Sequence, residues 1–397
     1  MGETAAKILY VSAAGGFYGG VERYIYDTAG ALQRHGYRVF GLFERRERDW
    51  PEFAAVFEET GTMTDAAAML RAHRFDLIYL HKTDDPELVA QLRQHAPVAV
   101  FIHDHDYYCP RRHKYYPLTR KNCTRAFNML YCAMCSAMIE KRNGRIVPID
   151  MVRKRRLLRE IRACDRGVVM SEFMRGNLLM NGWPAEKIVK LYPLCRPAAA
   201  APETERKTGT TAPTIVYVGQ LIRGKGVDLL LRALARLDLP FRAVIVGSNN
   251  DEAFLRQLVQ QLGLTERVDF AGWQAEPARF WREAAVAVFP SRWQEPFGMT
   301  GIEAFSQGVP VAGFAVGGVT EWLQDGVNGL AVPPGDDAAL AAAIRQLLTA
   351  PATAAAMGRA GQRLVTERFG EENFMTGFKT MLAGLGHGKM GADQANG

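Results

Sequence analysis

No apolar run in the 397 residues approaches the ~18 that a membrane-spanning helix needs, so an integral helical membrane protein is excluded. The opening stretch "MGETAAKILYVS" has no basic segment ahead of an apolar one, so no secretory leader is expected and the expected location is the cytoplasm. Ala6 stands where a myristoylation signal needs Ser or Thr. Cysteine is scarce, with six in the chain, and in a reducing compartment thiols or metal ligands are expected in place of disulfides. The G-x-G-x-x-G order of a dinucleotide-binding turn is also missing. "GGFYGG" at 15–20 breaks it, and no acid closes the next strand before Glu44, which sets a dehydrogenase aside. There is no internal repeat below domain size and no long low-complexity tract, and no nucleic-acid partner is expected.

What is present fits a globular α/β chain. A domain usually takes roughly 100–200 residues, so this length predicts two. The net charge of +7 is unevenly spread: residues 111–166 hold 16 Lys and Arg against four acids, and the remainder carries −5. That basic block contains an apolar patch, "AFNMLYCAM", and then "RKRRLLREIR", whose charges cover most of a helix surface. The segment reads either as a solvated helix face or as a surface for anionic lipid or a phosphorylated partner. Peripheral contact with the inner face of a membrane through 111–166 is the sharper expectation.

Each half of the chain begins with an apolar run that breaks into glycine. "KILYVSAAGGFYGGVERYIYDTAGALQRHG" predicts strand, Gly-rich loop and a helix ended by Gly36. "YRVFGLF", "FDLIYLH" and "VAVFIH" continue an alternation of strands and helices, and a parallel doubly wound sheet follows. Residues 196–213 lack periodicity and are rich in Ala, Thr and Pro, which marks a linker. The strand count then restarts with "TIVYVG", "FRAVIVG", "RVDFAG", "AVAVFPS", "VPVAGF" and "GLAVPP". The reading is therefore two Rossmann-like domains facing across a cleft, at 1–195 and 214–370. The helical stripe of 371–386 is expected to pack back on the first, and the tail beyond is expected to be disordered. Open parallel sheets take ligands at the carboxyl ends of their strands.

The stretch "QEPFGMTGIEA" at 294–304 holds Glu295 in a loop and Glu303 about one turn into a helix that starts near Met299. A helix N-terminus with free N–H groups suits phosphate, and carboxylates on either side suit sugar hydroxyls, so the pattern fits a nucleotide sugar. The alternative is a plain loop acid and a helix-start acid stabilised by the dipole. Cys109, Cys123, Cys132 and Cys135 fall within 27 residues, with a C-x2-C at the end. They are candidate ligands of a structural zinc, the alternative being free thiols, to which Cys164 and Cys195 belong.

"EPFGMTGIEA" resembles the E-x7-E motif of the retaining GT-B glycosyltransferases, family 4 in particular. "YVGQLIRGKGVDLLLRAL", "FAVGGVTEWLQDGVNGLAVPPGD", "GGVE" at 19–22 and "VVMSEFMRGNLLMNGWPAEKI" resemble further segments of that family in the same order. The resemblance implies that Glu303 binds the donor ribose and that Glu295 contacts the transferred sugar, with the amides of Phe297 and Gly298. It implies that Lys225 neutralises the diphosphate leaving group, and that the amides of Met299 and Thr300 lie against it. Gly19 and Gly20 would let the first domain's backbone approach the diphosphate. His103 would lie near the reacting sugar, with His105 as the alternative and His81 facing the acceptor. The family's usual Arg is replaced by Gln220, and Arg223 is the candidate substitute. The implied activity is metal-independent, retaining transfer of a sugar from a UDP- or GDP-sugar to a glycan or polyprenyl-diphosphate-linked acceptor, in surface polysaccharide or glycolipid synthesis. A non-hydrolysing sugar-nucleotide epimerase and a non-catalytic nucleotide-sugar-binding scaffold are the rival expectations.

Overall fold

The computed structural model describes residues 5–17, 19–116, 119, 121–136, 139–142, 145–195 and 212–386, with no account of side chains at 136–147. The chain divides into two compact units. Met1–Leu194 with Glu371–Gly397 form the first, and Cys195–Gly370 the second. The expected linker lies outside the described residues except for 212 and 213, and so does the tail beyond 386.

The first unit is built on strands β1 (Lys7–Gly15), β2 (Arg38–Arg46), β3 (Glu59–Gly61), β4 (Leu77–Lys82) and β5 (Val98–Phe101). An antiparallel pair, β6 (Ile139–Arg142) and β7 (Arg145–Pro148), stands apart from the main sheet. Strands β8 (Arg166–Val169) and β9 (Ile188–Lys190) complete that sheet, whose order is β3-β2-β1-β4-β5-β8-β9 with every pairing parallel. Strands buried on both faces read as unbroken apolar runs, as in Leu77–Leu80 and Val98–Phe101, each fully buried. The helix Gly20–Arg34 ends where Gly36 takes a φ of 84°, a conformation that costs glycine little. The helix Glu371–Gly386 lays Phe374, Met375, Phe378, Met381 and Leu385 into the same unit, all buried. Phe378 meets Tyr79 and Tyr37 edge-on with ring centroids 5.8 and 5.9 Å apart, and Arg34 forms a two-pronged ion pair with Glu371.

The second unit is a six-stranded parallel sheet. Its members are β10 (Thr214–Val218), β11 (Arg242–Val246), β12 (Val268–Gly272), β13 (Val286–Phe289), β14 (Val311–Phe314) and β15 (Gly329–Val332). They stand in the order β12-β11-β10-β13-β14-β15, so the chain reverses direction across the sheet between β10 and β13. That reversal is where doubly wound sheets open a crevice at their carboxyl edge. The loops that leave β10 and β13 there carry the residues singled out above.

Candidate active site

The loop after β13 runs through 290–298 into the helix Met299–Ser306. Gly298 sits at the junction with φ 94°, and a Cβ there would lie 2.7 Å from the Phe289 ring, so turn and packing both require glycine. Glu295 is buried, and its Oε1 accepts from Lys225 Nζ at 2.7 Å and from the Ser291 hydroxyl at 2.5 Å. The Glu295 carbonyl accepts the N–H of Gly318 at 2.7 Å, which ties the loop to the "GGVTE" turn. Phe297 is wholly buried, and its carbonyl accepts from the Trp322 indole at 2.6 Å. Gly298, Met299 and Thr300 are half-buried, and among the described residues no acceptor is bonded to their three backbone N–H groups. Glu303 is half-buried within the helix, and its carbonyl accepts from Ser306 Oγ.

Lys225 is delivered by the loop after β10, where Arg223–Lys225 form one short helical turn. Close contact locks this loop to the one carrying Glu295. A Cβ on Gly224 would lie 1.7 Å from the Trp293 indole, and one on Gly226 would lie 1.9 Å from the Pro290 carbonyl oxygen. The Gly224 carbonyl accepts the N–H of Arg292 at 2.8 Å. Arg292, unremarked in the sequence, grips Asp228 with both guanidinium nitrogens, at 2.5 and 2.7 Å, and donates to the Arg223 carbonyl. Arg223, the candidate substitute cation, is engaged locally: its guanidinium lies 3.5 Å from Asp251, 3.9 Å from Asp228 and 4.2 Å over the Phe254 ring. Gln220 is exposed.

In the first unit, Gly19 precedes and Gly20 begins the first helix. A Cβ at Gly20 would meet nothing within 4 Å, and one at Gly19 only a Glu22 oxygen at 3.5 Å. The protein's own packing therefore does not require glycine at Gly20. Glu22 is buried, and burial raises its pKa.

His103 follows β5, and its Nε2 shares a hydrogen bond of 2.9 Å with Nδ1 of His81 on β4. Burial pushes the His81 pKa down to about 3, and burial with His81 and Lys82 nearby pushes that of His103 well down. The expectation that His81 faces an acceptor is corrected: it is wholly buried, with its ring stacked on Tyr10 at 5.1 Å. His105 is buried too, with Nδ1 2.8 Å from the Tyr108 hydroxyl. Because both paired imidazoles titrate lower when folded, the unfolded chain takes up protons first as pH falls below about 6.5. Stability is therefore expected to drop from that point downward, by up to about 1.4 kcal/mol per pH unit for each histidine. Urea midpoints between pH 7.5 and 5.5 check this, and His81→Phe should flatten the slope.

Beside this pair Lys82 binds both Asp104 and Asp106, the latter at 2.7 Å, a cluster that local sequence did not announce. Burial pushes both carboxyls up and leaves Asp104 raised, whereas at Asp106 the combined pull of Lys82, Arg112 and Lys154 brings the pKa below the ordinary value. The four clustered cysteines are free thiols in the structure. Cys109 accepts the N–H of Lys114, Cys132 that of Asn128, and Cys123 faces the Tyr116 hydroxyl, each at 3.4 Å. Among the described residues no group of three or more His, Cys, Asp or Glu is arranged to hold a metal ion.

Residues 18–194 match the model of glycosyltransferase family 4, and residues 202–364 match that of glycosyl transferases group 1. The chain belongs to the GT-B glycosyltransferases of the family 4 type. A curated relative, the lipopolysaccharide core biosynthesis glycosyltransferase LpsE of Rhizobium meliloti, is 29% identical over 51% of this chain and 59% of its own. A D-inositol 3-phosphate glycosyltransferase of Mycolicibacterium paratuberculosis is 37% identical over 37% of this chain and 34% of its own. The chain thus spans less than two thirds of the length of these relatives. Among solved structures, Anabaena HepE with UDP superposes with a TM-score of 0.74 at 18% identity, covering 96% of this chain and all of that one. That likeness shows the GT-B fold.

Proposed function

We propose that this chain is a retaining, metal-independent glycosyltransferase that takes its sugar from a nucleoside diphosphate sugar. The observation that carries the reading is the ion pair of the buried Glu295 with the half-buried Lys225, next to the open N-terminus of the helix Met299–Ser306. A diphosphate laid on the amides of Gly298, Met299 and Thr300 meets the positive end of the helix and the Lys225 ammonium together. As the bond from the anomeric carbon to the diphosphate oxygen breaks, negative charge grows on that oxygen, and Lys225 acts more on this state than on the bound donor. Glu295, fixed by Ser291 and Lys225, stands where a sugar hydroxyl can donate to it, and Glu303 takes the ribose hydroxyls. Departure of the leaving group and attack by the acceptor oxygen on one face give retention. The acceptor's proton leaves with the diphosphate. HepE structures with UDP and with UDP-glucose support this donor class.

Thermal-shift titration with UDP and GDP sugars tests the donor. A ligand at a hundred times its dissociation constant stabilises by ~2.7 kcal/mol. Glu303→Ala is expected to weaken the stabilising nucleotide about tenfold or more, since a hydrogen bond to a charged group contributes roughly 1.5–3 kcal/mol. A full set of sugar nucleotides giving no shift would overturn the reading.

The acceptor is a glycan or lipid-linked glycan made at the inner face of a membrane, in keeping with LpsE's name. The first unit exposes Leu130, Tyr131, Met134 and Val152, each more than half accessible, beside the exposed Arg155, Arg156 and Arg159. Apolar side chains set among cations suit an anionic lipid surface. Sedimentation with vesicles is expected to rise with anionic lipid and fall with salt, and Leu130→Asp with Met134→Asp should lower it several-fold. Binding indifferent to both would remove the membrane part.

A further inference from the structure

A second constellation occupies the carboxyl edge of the first unit's sheet. Asp84 follows β4, Arg112 follows β5, and Asp150, Arg153, Lys154 and Leu157 come from the start of the helix Met151–Ala163. Together they line most of a cavity of about 80 Å3. Open parallel sheets place their ligands outside the carboxyl ends of the strands, which is where this cavity stands.

Charge decides what it fits. The Asp150 carboxylate is occupied in capping its helix, accepting the N–H of Arg153 at 2.8 Å. Arg153 stands at the rim, donating to the Asp84 carbonyl at 3.2 Å and reaching Asp85 at 3.6 Å. Asp104 and Asp106 both bind Lys82, and Asp106 also lies within electrostatic reach of Arg112 and Lys154. Lys154 differs from its neighbours. It is half-buried, and among the described residues its ammonium makes no hydrogen bond or ion pair. Burial lowers its pKa and Arg112 adds to this, against the pull of Asp106. The lining sets three cations, Arg112, Arg153 and Lys154, against two carboxylates, Asp84 and Asp150, and the half-buried Lys154 ammonium, whose charge Asp106 offsets only from a distance, suits an oxyanion whose geometry guanidinium forks match.

We propose that this cavity is a phosphoryl-binding subsite, with Lys154 at its base and Arg112 and Arg153 at its rim, and that the acceptor carries a phosphate there. The proposal rests on the reading of the first unit as the acceptor side. Its residues belong to the first unit and Lys225 to the second, so the two readings are tested on different side chains.

Reductive methylation of the native full chain, followed residue by residue in peptide mass spectra, tests it. Methyl phosphate and phosphatidate vesicles present the same group from two sources, acetate is the control anion, and the exposed Lys379 is the internal reference. Methylation of Lys154 should slow about fivefold or more with a phosphoryl probe while Lys379 is unchanged. Protection by methyl phosphate assigns a soluble phosphoester, and protection by vesicles alone assigns a lipid head group. Protection by neither, or equal protection by acetate, overturns the subsite. In calorimetry, Lys154→Met should lose about tenfold or more in methyl phosphate affinity with an unchanged melting temperature, and unchanged affinity also overturns it. UDP stabilisation measured on the same samples reports the donor reading separately: a UDP shift without Lys154 protection sinks the subsite alone, whereas Lys154 protection without any sugar-nucleotide shift sinks the donor reading alone.

Discussion

Lys225→Ala is expected to lower turnover by about a hundredfold, with a much smaller change in nucleotide affinity. Losing one charge-assisted contact in the transition state costs about 1.5–3 kcal/mol, or roughly ten- to a hundredfold, and the upper end is expected because Lys225 also anchors Glu295. The Glu295 carboxylate is 7% accessible and has Lys225 as its cation at 2.7 Å. Without that cation only Ser291 still donates to Oε1. The same change is therefore expected to lower stability by about 1–3 kcal/mol, the cost of leaving a buried acceptor poorly satisfied. A double change, Lys225→Met with Glu295→Gln, removes both charges and should regain most of the stability but none of the turnover, as expected for two groups acting as a pair. Steady-state kinetics with matched urea melts separate these effects. Undiminished turnover in Lys225→Ala would place the diphosphate elsewhere.

Gly226→Ala is expected to cost about 3 kcal/mol or more and to remove activity with it. The residue has φ 71°, where an alanine is strained, and the added carbon would sit 1.9 Å from a backbone oxygen, Pro290 O, that no rotamer change can move. The loops carrying Lys225 and Glu295 must then part. Gly20→Ala is the contrasting control: its new carbon meets nothing within 4 Å, so the melting temperature should hold. Calorimetric melts of the two variants beside the parent decide the matter, and a Gly226→Ala protein as stable as the parent would mean that the loops can separate freely.

The two sheets were legible because most of their inner strands, such as β4, β5, β13 and β14, are buried on both faces, so each reads as an apolar run that stops at a glycine or polar residue. The six runs named in the second half are β10 to β15. The short edge strands β3 and β9, of three residues each, carry too few apolar positions to stand out. The loop-to-helix turn at Gly298 was legible as well, since a positive φ beside a buried ring calls for glycine. Contacts between distant segments were not legible. Arg292 gripping Asp228, Lys82 shared by Asp104 and Asp106, and His81 buried against Tyr10 each depend on a partner that local pattern does not name. His81 ends an apolar run in polar style, and that same position hid its burial.

The connectivity of the first unit sets an order of assembly on the ribosome. Its covering helix, Glu371–Gly386, is translated only after the whole of Cys195–Gly370. The nascent first unit must therefore wait, with the aromatic faces of Tyr24, Tyr37 and Tyr79 lacking the rings of Phe374 and Phe378. At ~5–20 residues per second that interval lasts on the order of ten seconds or more, long enough for a chaperone to hold the uncovered sheet.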